Sequence, residues 1–168
     1  LPEKIRVSVG SAMALGLTVG KLDAPPTTIY LLTYNEQKCS ANCGFCPQAR
    51  ASTSRADMLS RVTWPSFRTE KVINSIATAA KKGSIQRVCI QAMNYPNVFE
   101  NLLALATNIK AQTKVPLSVS CPPFGEEETQ ELHEAGVDRV SIALDTATPK
   151  LFEEVKGARA HSPYSWKK

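Results

Sequence analysis

The chain has 168 residues, 43% of them apolar and 21% charged, and a formal net charge of +5. That length allows one domain with a real core but not a complete eight-unit barrel, and no apolar run approaches the roughly 20 residues that span a bilayer. Basic residues are scattered apart from pairs such as Lys81-Lys82 and Lys167-Lys168, which argues against a nucleic-acid-binding stripe.

Along the chain, residues 1–27 read as an N-terminal extension, with a short helix expected within residues 4–20. Thr28 to Tyr34 is a β-favouring apolar run and reads as a buried first strand. A helix is expected from Thr69 as its cap to about Lys82, with Val72, Ile73, Ile76 and Ala80 on one face and Gly83 just past its end. Arg87 to Ala92 is the second strand. Asn97 followed by Glu100 suggests a capping box for a helix burying Leu102, Leu103, Ala106 and Ile109. Leu117 to Ser120 is a third strand, Glu126 to Glu128 open a helix that Gly136 ends, and Arg139 to Leu144 is a fourth strand. Thr148 as cap and Pro149 at the first helical position start a last helix, closed by Gly157. The tail from His161 reads as the first turn of another helix, so the native protein is expected to continue beyond residue 168.

Strands alternating with helices predict an α/β fold with a parallel sheet, its strands buried on both faces. Four βα units, over residues 28–168, are the N-terminal part of a (β/α) barrel. The connection from Pro47 to Arg68, rich in Ser and Arg, reads as a long loop folding over whatever precedes it. Its Arg50, Arg55 and Arg61 are equally suited to neutralising a carboxylate or to solvent.

What precedes it is the chemically informative stretch. Cys39, Cys43 and Cys46 form C-x3-C-x2-C directly after the first strand. An odd total of five cysteines suits a metal site in a reducing compartment better than a disulfide framework, and the expected location is the cytoplasm. Thiolates select zinc or iron-sulfur clusters. Structural zinc needs four ligands, and the only histidines, His133 and His161, are remote in sequence. A cubane cluster on three thiolates leaves one iron open. Zinc and incidental thiols are the alternatives.

This motif, with Phe45 before the last cysteine, resembles the radical S-adenosylmethionine (SAM) superfamily. The resemblance implies a [4Fe-4S] cluster whose open iron is chelated by SAM, and one-electron cleavage of SAM to a 5′-deoxyadenosyl radical that abstracts hydrogen. Cys46-Pro47-Gln48, Arg87 to Ala92 and Ala143-Leu144-Asp145-Thr146 further resemble biotin synthase and related sulfur-inserting enzymes, including the archaeal two-protein lipoyl synthases. By that resemblance Cys39, Cys43 and Cys46 hold the cluster and Phe45 meets the adenine. Gln91, Ala92 and Met93 meet the methionine part of SAM, although the family's usual Gly-Gly-Glu is absent, and Ser141 and Asp145 approach the ribose. The alternative for Asp145 is a helix-start or turn residue before Thr146. Position 143 is Ala where biotin synthase has a polar ribose contact.

Cys89 matches a strand cysteine that holds a second, sulfur-donating cluster in biotin synthase, while Ser118 stands where its third-strand partner would be. Cys89 and Cys121 are the candidates for an auxiliary iron-sulfur cluster, with a core-filling role as the alternative for Cys89. The implied function is sulfur insertion into an octanoyl chain as a lipoyl synthase component. The alternatives are a biotin synthase-like enzyme on a small molecule and a zinc-stabilised binding module. Implied partners are an electron donor such as ferredoxin or flavodoxin, an octanoylated carrier protein and a second radical SAM protein, with no nucleic acid and no membrane.

Overall fold

The computed structural model describes residues 1–167. Its sheet has six strands: β1 (Lys4–Val7), β2 (Thr28–Thr33), β5 (Ser66–Arg68), β6 (Arg87–Gln91), β7 (Leu117–Ser120) and β8 (Arg139–Ser141), in the order β5-β1-β2-β6-β7-β8. The four strands β2, β6, β7 and β8 are parallel. Each leads to a helix: α2 (Thr69–Lys81), α3 (Val98–Gln112), α4 (Glu126–Glu134) and α5 (Pro149–Val155). This is the expected partial (β/α) barrel of four units.

Alternation along the strands decides what each face does. Ile29, Leu31, Val88, Ile90, Leu117 and Val119 are all fully buried, in one cluster with Val72, Ile73 and Ile76 of α2, Leu102, Leu105 and Ile109 of α3 and Leu132 of α4. Burying each such side chain contributes about 1.5–3 kcal/mol. The opposite face differs from the expectation of strands buried on both sides. Register aligns Tyr30, Cys89, Ser118 and Arg139 in one row, and Leu32, Gln91, Ser120 and Ser141 in the next. Most of these are only half-buried or exposed.

The N-terminal extension is not simply helical. Lys4–Val7 joins the sheet, antiparallel to both β2 and β5, and only α1 (Val9–Ala14) is helix, capped by the Ser8 hydroxyl. The long connection likewise contains structure. β3 (Met58–Leu59) and β4 (Val62–Thr63) form a hairpin turned by Ser60 and Arg61, both at positive φ, and β5 follows. Trp64, 4% exposed, anchors the hairpin through Nε1–H donation to the Leu59 carbonyl. Strands of two and three residues are too short for periodicity to reveal.

Three other differences are local. Thr69 starts α2 without capping it, because its own N–H donates to Glu3 O and its hydroxyl is buried without a partner. Asn97 sits at φ 62, which turns its side chain away from the capping geometry. β8 ends at Ser141, not Leu144, since its sole partner β7 ends opposite it at Ser120. By contrast, Thr148 caps α5 as expected, and Glu128 accepts from Gly125 N–H at the start of α4. The tail forms a single 3-10 turn at Ala158–Ala160, with His161 left-handed behind it, and no further helix follows among the described residues.

Gly83 ends α2 at φ 67 with open space around it. Gly83→Ala is expected to cost about 1–2 kcal/mol from left-handed strain alone, read as a lower urea midpoint at unchanged slope.

Candidate metal centre

β2 delivers the chain to an irregular loop carrying Cys39, Cys43 and Cys46, and the loop is tied down by polar contacts. Gln48, 3% exposed, accepts from Cys39 N–H through its carbonyl at 3.0 Å and donates Nε2–H to Ala56 O and Met58 O. The Lys38 ammonium donates to the carbonyls of Pro47, Ser52 and Ser54. Cys46 N–H donates to Cys43 O in a turn that keeps those two residues together. From the next strand end, Asn94 N–H donates to Cys39 Sγ at 3.2 Å, and Asn94 O accepts from both Ser40 N–H and its hydroxyl.

The three thiols line one pocket of about 240 Å³ at the C-terminal ends of the parallel strands. Phe45, Gln91, Ala92, Met93 and Asp145 line the same pocket. Of the expected cofactor-binding residues only Ser141 does not; it occupies the row of Gln91 and Ser120, and its carbonyl accepts from Cys121 N–H. Phe45 is 57% exposed, whereas Met93 is largely built into the core. Asp145 sits at φ 63 and pairs with Lys156 at 2.5 Å. A larger hollow of about 800 Å³, between α1 and α2, contains no thiol and is lined by groups such as Arg68, Lys71 and Lys82.

Electrostatics tie the thiols to one another. Burial pushes the Cys43 thiol up, the Lys156 charge and a Ser162 hydrogen bond oppose this, and Cys46 and Cys39 add to it. Burial likewise raises Cys46, with Cys39 and Asp145 contributing. Tyr164 is raised by burial and then by all three cysteines, while a hydrogen bond to Asn94 opposes the shift.

The chain after β8 closes the site, and sequence reasoning missed it. Gly44 N–H donates to Val155 O at 2.8 Å, Asn42 N–H to Ser162 Oγ, Asn42 Nδ2 to Ala160 O, and Arg50 to His161 O. Lys156, Ser162 and Tyr164 belong to a segment with no motif of its own, and Asn42 is an intervening position of the cysteine motif, so only contacts over more than 100 residues of separation reveal most of them. Of the loop arginines, Arg50 serves this clasp, Arg55 pairs with Asp57, and Arg61 turns the hairpin; none lines the pocket.

Cys89 and Cys121 are separated. Cys89 stands beside Tyr30 and Ser118 on the half-buried face, while Cys121, three residues beyond Ser118, lines the thiol pocket. Three residues of strand correspond to about 10 Å, and of the two only Cys121 shares the pocket of the cysteine triad. Burial pushes the Cys121 thiol up to about 11. Because the folded state holds that proton more tightly than the unfolded chain, with its ordinary value of 9.0, this contribution to stability is intact below pH ~9 and declines as pH rises toward ~11. Cys121→Ala should remove that part of the alkaline decline in urea-unfolding stability.

The family model of the radical SAM superfamily matches residues 37–168, from just before the first cysteine to the end. The chain belongs to the radical SAM superfamily. It is 28% identical over 137 residues to biotin synthase of Delftia acidovorans, covering 78% of this chain and 36% of that protein. It is 24% identical over 119 residues to biotin synthase of Streptococcus agalactiae serotype V, covering 69% and 34%. The chain thus spans about a third of the length of these curated relatives. The solved structure of HydG, a maturase of the [FeFe]-hydrogenase, aligns at TM-score 0.56 and 14% identity over 84% of this chain and 30% of that one, a likeness of fold.

The donor set fits the [4Fe-4S] cluster and SAM that membership implies. Three thiols on one loop line a pocket that also offers an open aromatic ring and a carboxylate, and a backbone N–H already points at one sulfur. Among the described residues no three His, Cys, Asp or Glu side chains converge on one point as ligands of a single ion would. A cubane, whose three thiolates bind three different irons, requires no such convergence.

Proposed function

We propose that this radical SAM chain belongs to an enzyme that inserts sulfur at unactivated carbons, with an octanoyl chain on a carrier protein as substrate, hence a lipoyl synthase component. The observation that carries the radical part is the placement of Cys39, Cys43 and Cys46 in one pocket with Phe45 and Asp145 at the strand ends, where (β/α) barrels build their active sites. Support for sulfur insertion comes from the likeness to biotin synthases and from two further cysteines, Cys89 on the open face and Cys121 in the pocket wall.

When bound, the cluster and SAM supply reductive cleavage for hydrogen abstraction, chemistry that belongs to the cofactors. The chain's residues bind and shield. Cys39, Cys43 and Cys46 ligate, and the Asn94 N–H stabilises a thiolate at Cys39. Phe45 offers a face to a planar base, and Asp145 accepts hydrogen bonds from a diol. Tyr164 and Trp166 line the pocket and exclude water. An electron donor such as ferredoxin or flavodoxin and a second radical SAM protein complete the proposal.

A biotin synthase-like reaction on a small molecule is the second reading, favoured by the identity of the matching relatives. The test is anaerobic iron and sulfide reconstitution of the full-length protein, then SAM and reductant with either an octanoylated carrier or the biotin precursor. 5′-Deoxyadenosine and sulfur-bearing carrier are expected. No 5′-deoxyadenosine sinks the radical reading, and product only from the biotin precursor selects the second. Stoichiometric zinc without a cluster returns a binding module.

A further inference from the structure

Lys156 brings a positive charge into the pocket. Lys156, at the end of α5, lines the pocket with its side chain only 12% exposed, yet no motif marks it. Its ammonium donates to the Asp145 carboxylate at 2.5 Å and to the Ala143 carbonyl. The aromatic rings of Tyr164 and Phe152 lie 5.6 and 6.0 Å from it, which shields the charge from water on those sides. The preceding residue, Val155, receives the Gly44 N–H at 2.8 Å, so α5 and the cysteine loop are joined one residue away from Lys156 and one residue away from Cys43.

We infer that Lys156 is a positioning residue for the cofactor site: it pins the strand-exit segment 142–145, with Asp145 in its left-handed conformation, and places one positive charge beside the cysteine triad. This rests on the radical SAM reading above. Two observations require such a pin. Asp145 is a non-glycine residue at φ 63, which costs free energy that the surroundings must supply. Ile142 and Leu144, 55% and 50% exposed, contribute little packing to hold their segment, so the two hydrogen bonds from Lys156 are its principal restraint.

The charge has a direction. A cubane on three thiolates is anionic and gains a further negative charge on reduction, so a nearby cation favours the reduced form and a nearby carboxylate opposes it. Lys156 and Asp145 both line the pocket that holds the three thiols. Substituting either member of the pair therefore moves the reduction equilibrium in opposite directions, which a structural defect alone does not do.

The experiment uses the full-length protein, reconstituted anaerobically, with Lys156→Met, Lys156→Arg and Asp145→Asn. Redox titration should show Lys156→Met about tenfold less reducible, equivalent to ~59 mV more negative, Asp145→Asn displaced the other way, and Lys156→Arg near wild type. Calorimetric titration with SAM should show affinity about tenfold weaker for Lys156→Met, in the range for residues that orient a ligand's partners. In the cluster-free protein, amide hydrogens of residues 142–145 should exchange about tenfold faster in Lys156→Met and Asp145→Asn. Unchanged potential and unchanged SAM affinity in Lys156→Met overturn the inference, as does displacement of both variants in the same direction. Failure of the wild type to assemble a cluster overturns the radical reading instead. In that case unchanged exchange in the cluster-free variants would overturn the pin separately.

Discussion

Replacing Cys43 with alanine in the full-length protein is expected to abolish cluster assembly and lower SAM cleavage by more than about 100-fold. Residues that merely orient metal ligands cost 10–100-fold when removed, and a lost thiolate exceeds that. Cys43 is the informative choice because both its neighbours are tied to distant parts of the chain. Its neighbours Asn42 and Gly44 are held by Ser162, Ala160 and Val155, so the loop keeps its path without the thiol. Iron and sulfide content after reconstitution, together with an unchanged unfolding midpoint of the cluster-free protein, separates loss of a ligand from loss of the fold. Retention of a full cluster in Cys43→Ala would show that the triad is not the ligand set.

The second large effect concerns stability. Ile90→Ala should destabilise the domain by about 2–5 kcal/mol, the cost of removing a large aliphatic side chain from a packed core. Ile90 is 0% exposed, in a strand paired on both sides, between Leu31 and Val119. The consequence extends to the site, since β6 ends at Gln91 and leads directly into Ala92, Met93 and Asn94, whose N–H meets Cys39. Urea unfolding measures the loss. Weakened cluster binding should accompany it at temperatures where the folded state is still populated, and a change below ~1 kcal/mol would contradict the packing described.

The parallel strands and their helices were legible because their signals are local and repeated. Buried Ile29, Leu31, Val88, Ile90, Leu117 and Val119 alternate within strands, and Val72, Ile73 and Ile76 recur at helical spacing. Thr148-Pro149 and Gly83 mark ends by backbone chemistry that operates whatever the neighbours are. Such signals fail where a partner decides. Lys4–Val7 becomes a strand because β2 and β5 flank it, and β8 stops where β7 stops.

The cysteine triad was likewise legible, since thiolates at that spacing have few other uses. That Phe45, Gln91, Ala92, Met93 and Asp145 share its pocket follows from strand order and register. Sequence by itself determined the βα alternation, the start of α5 at Thr148-Pro149, the stop of α2 at Gly83 and the spacing of the cysteine triad, all consequences of side-chain chemistry within a few residues. Only the tertiary structure decided that Ser141 stands off the pocket, that Cys121 but not Cys89 lines it, and that α5 and the tail close over the cysteine loop through Val155, Ala160 and Ser162. Those contacts join backbone groups and short polar side chains far apart in the chain, and such groups carry no pattern until the sheet brings their segments together.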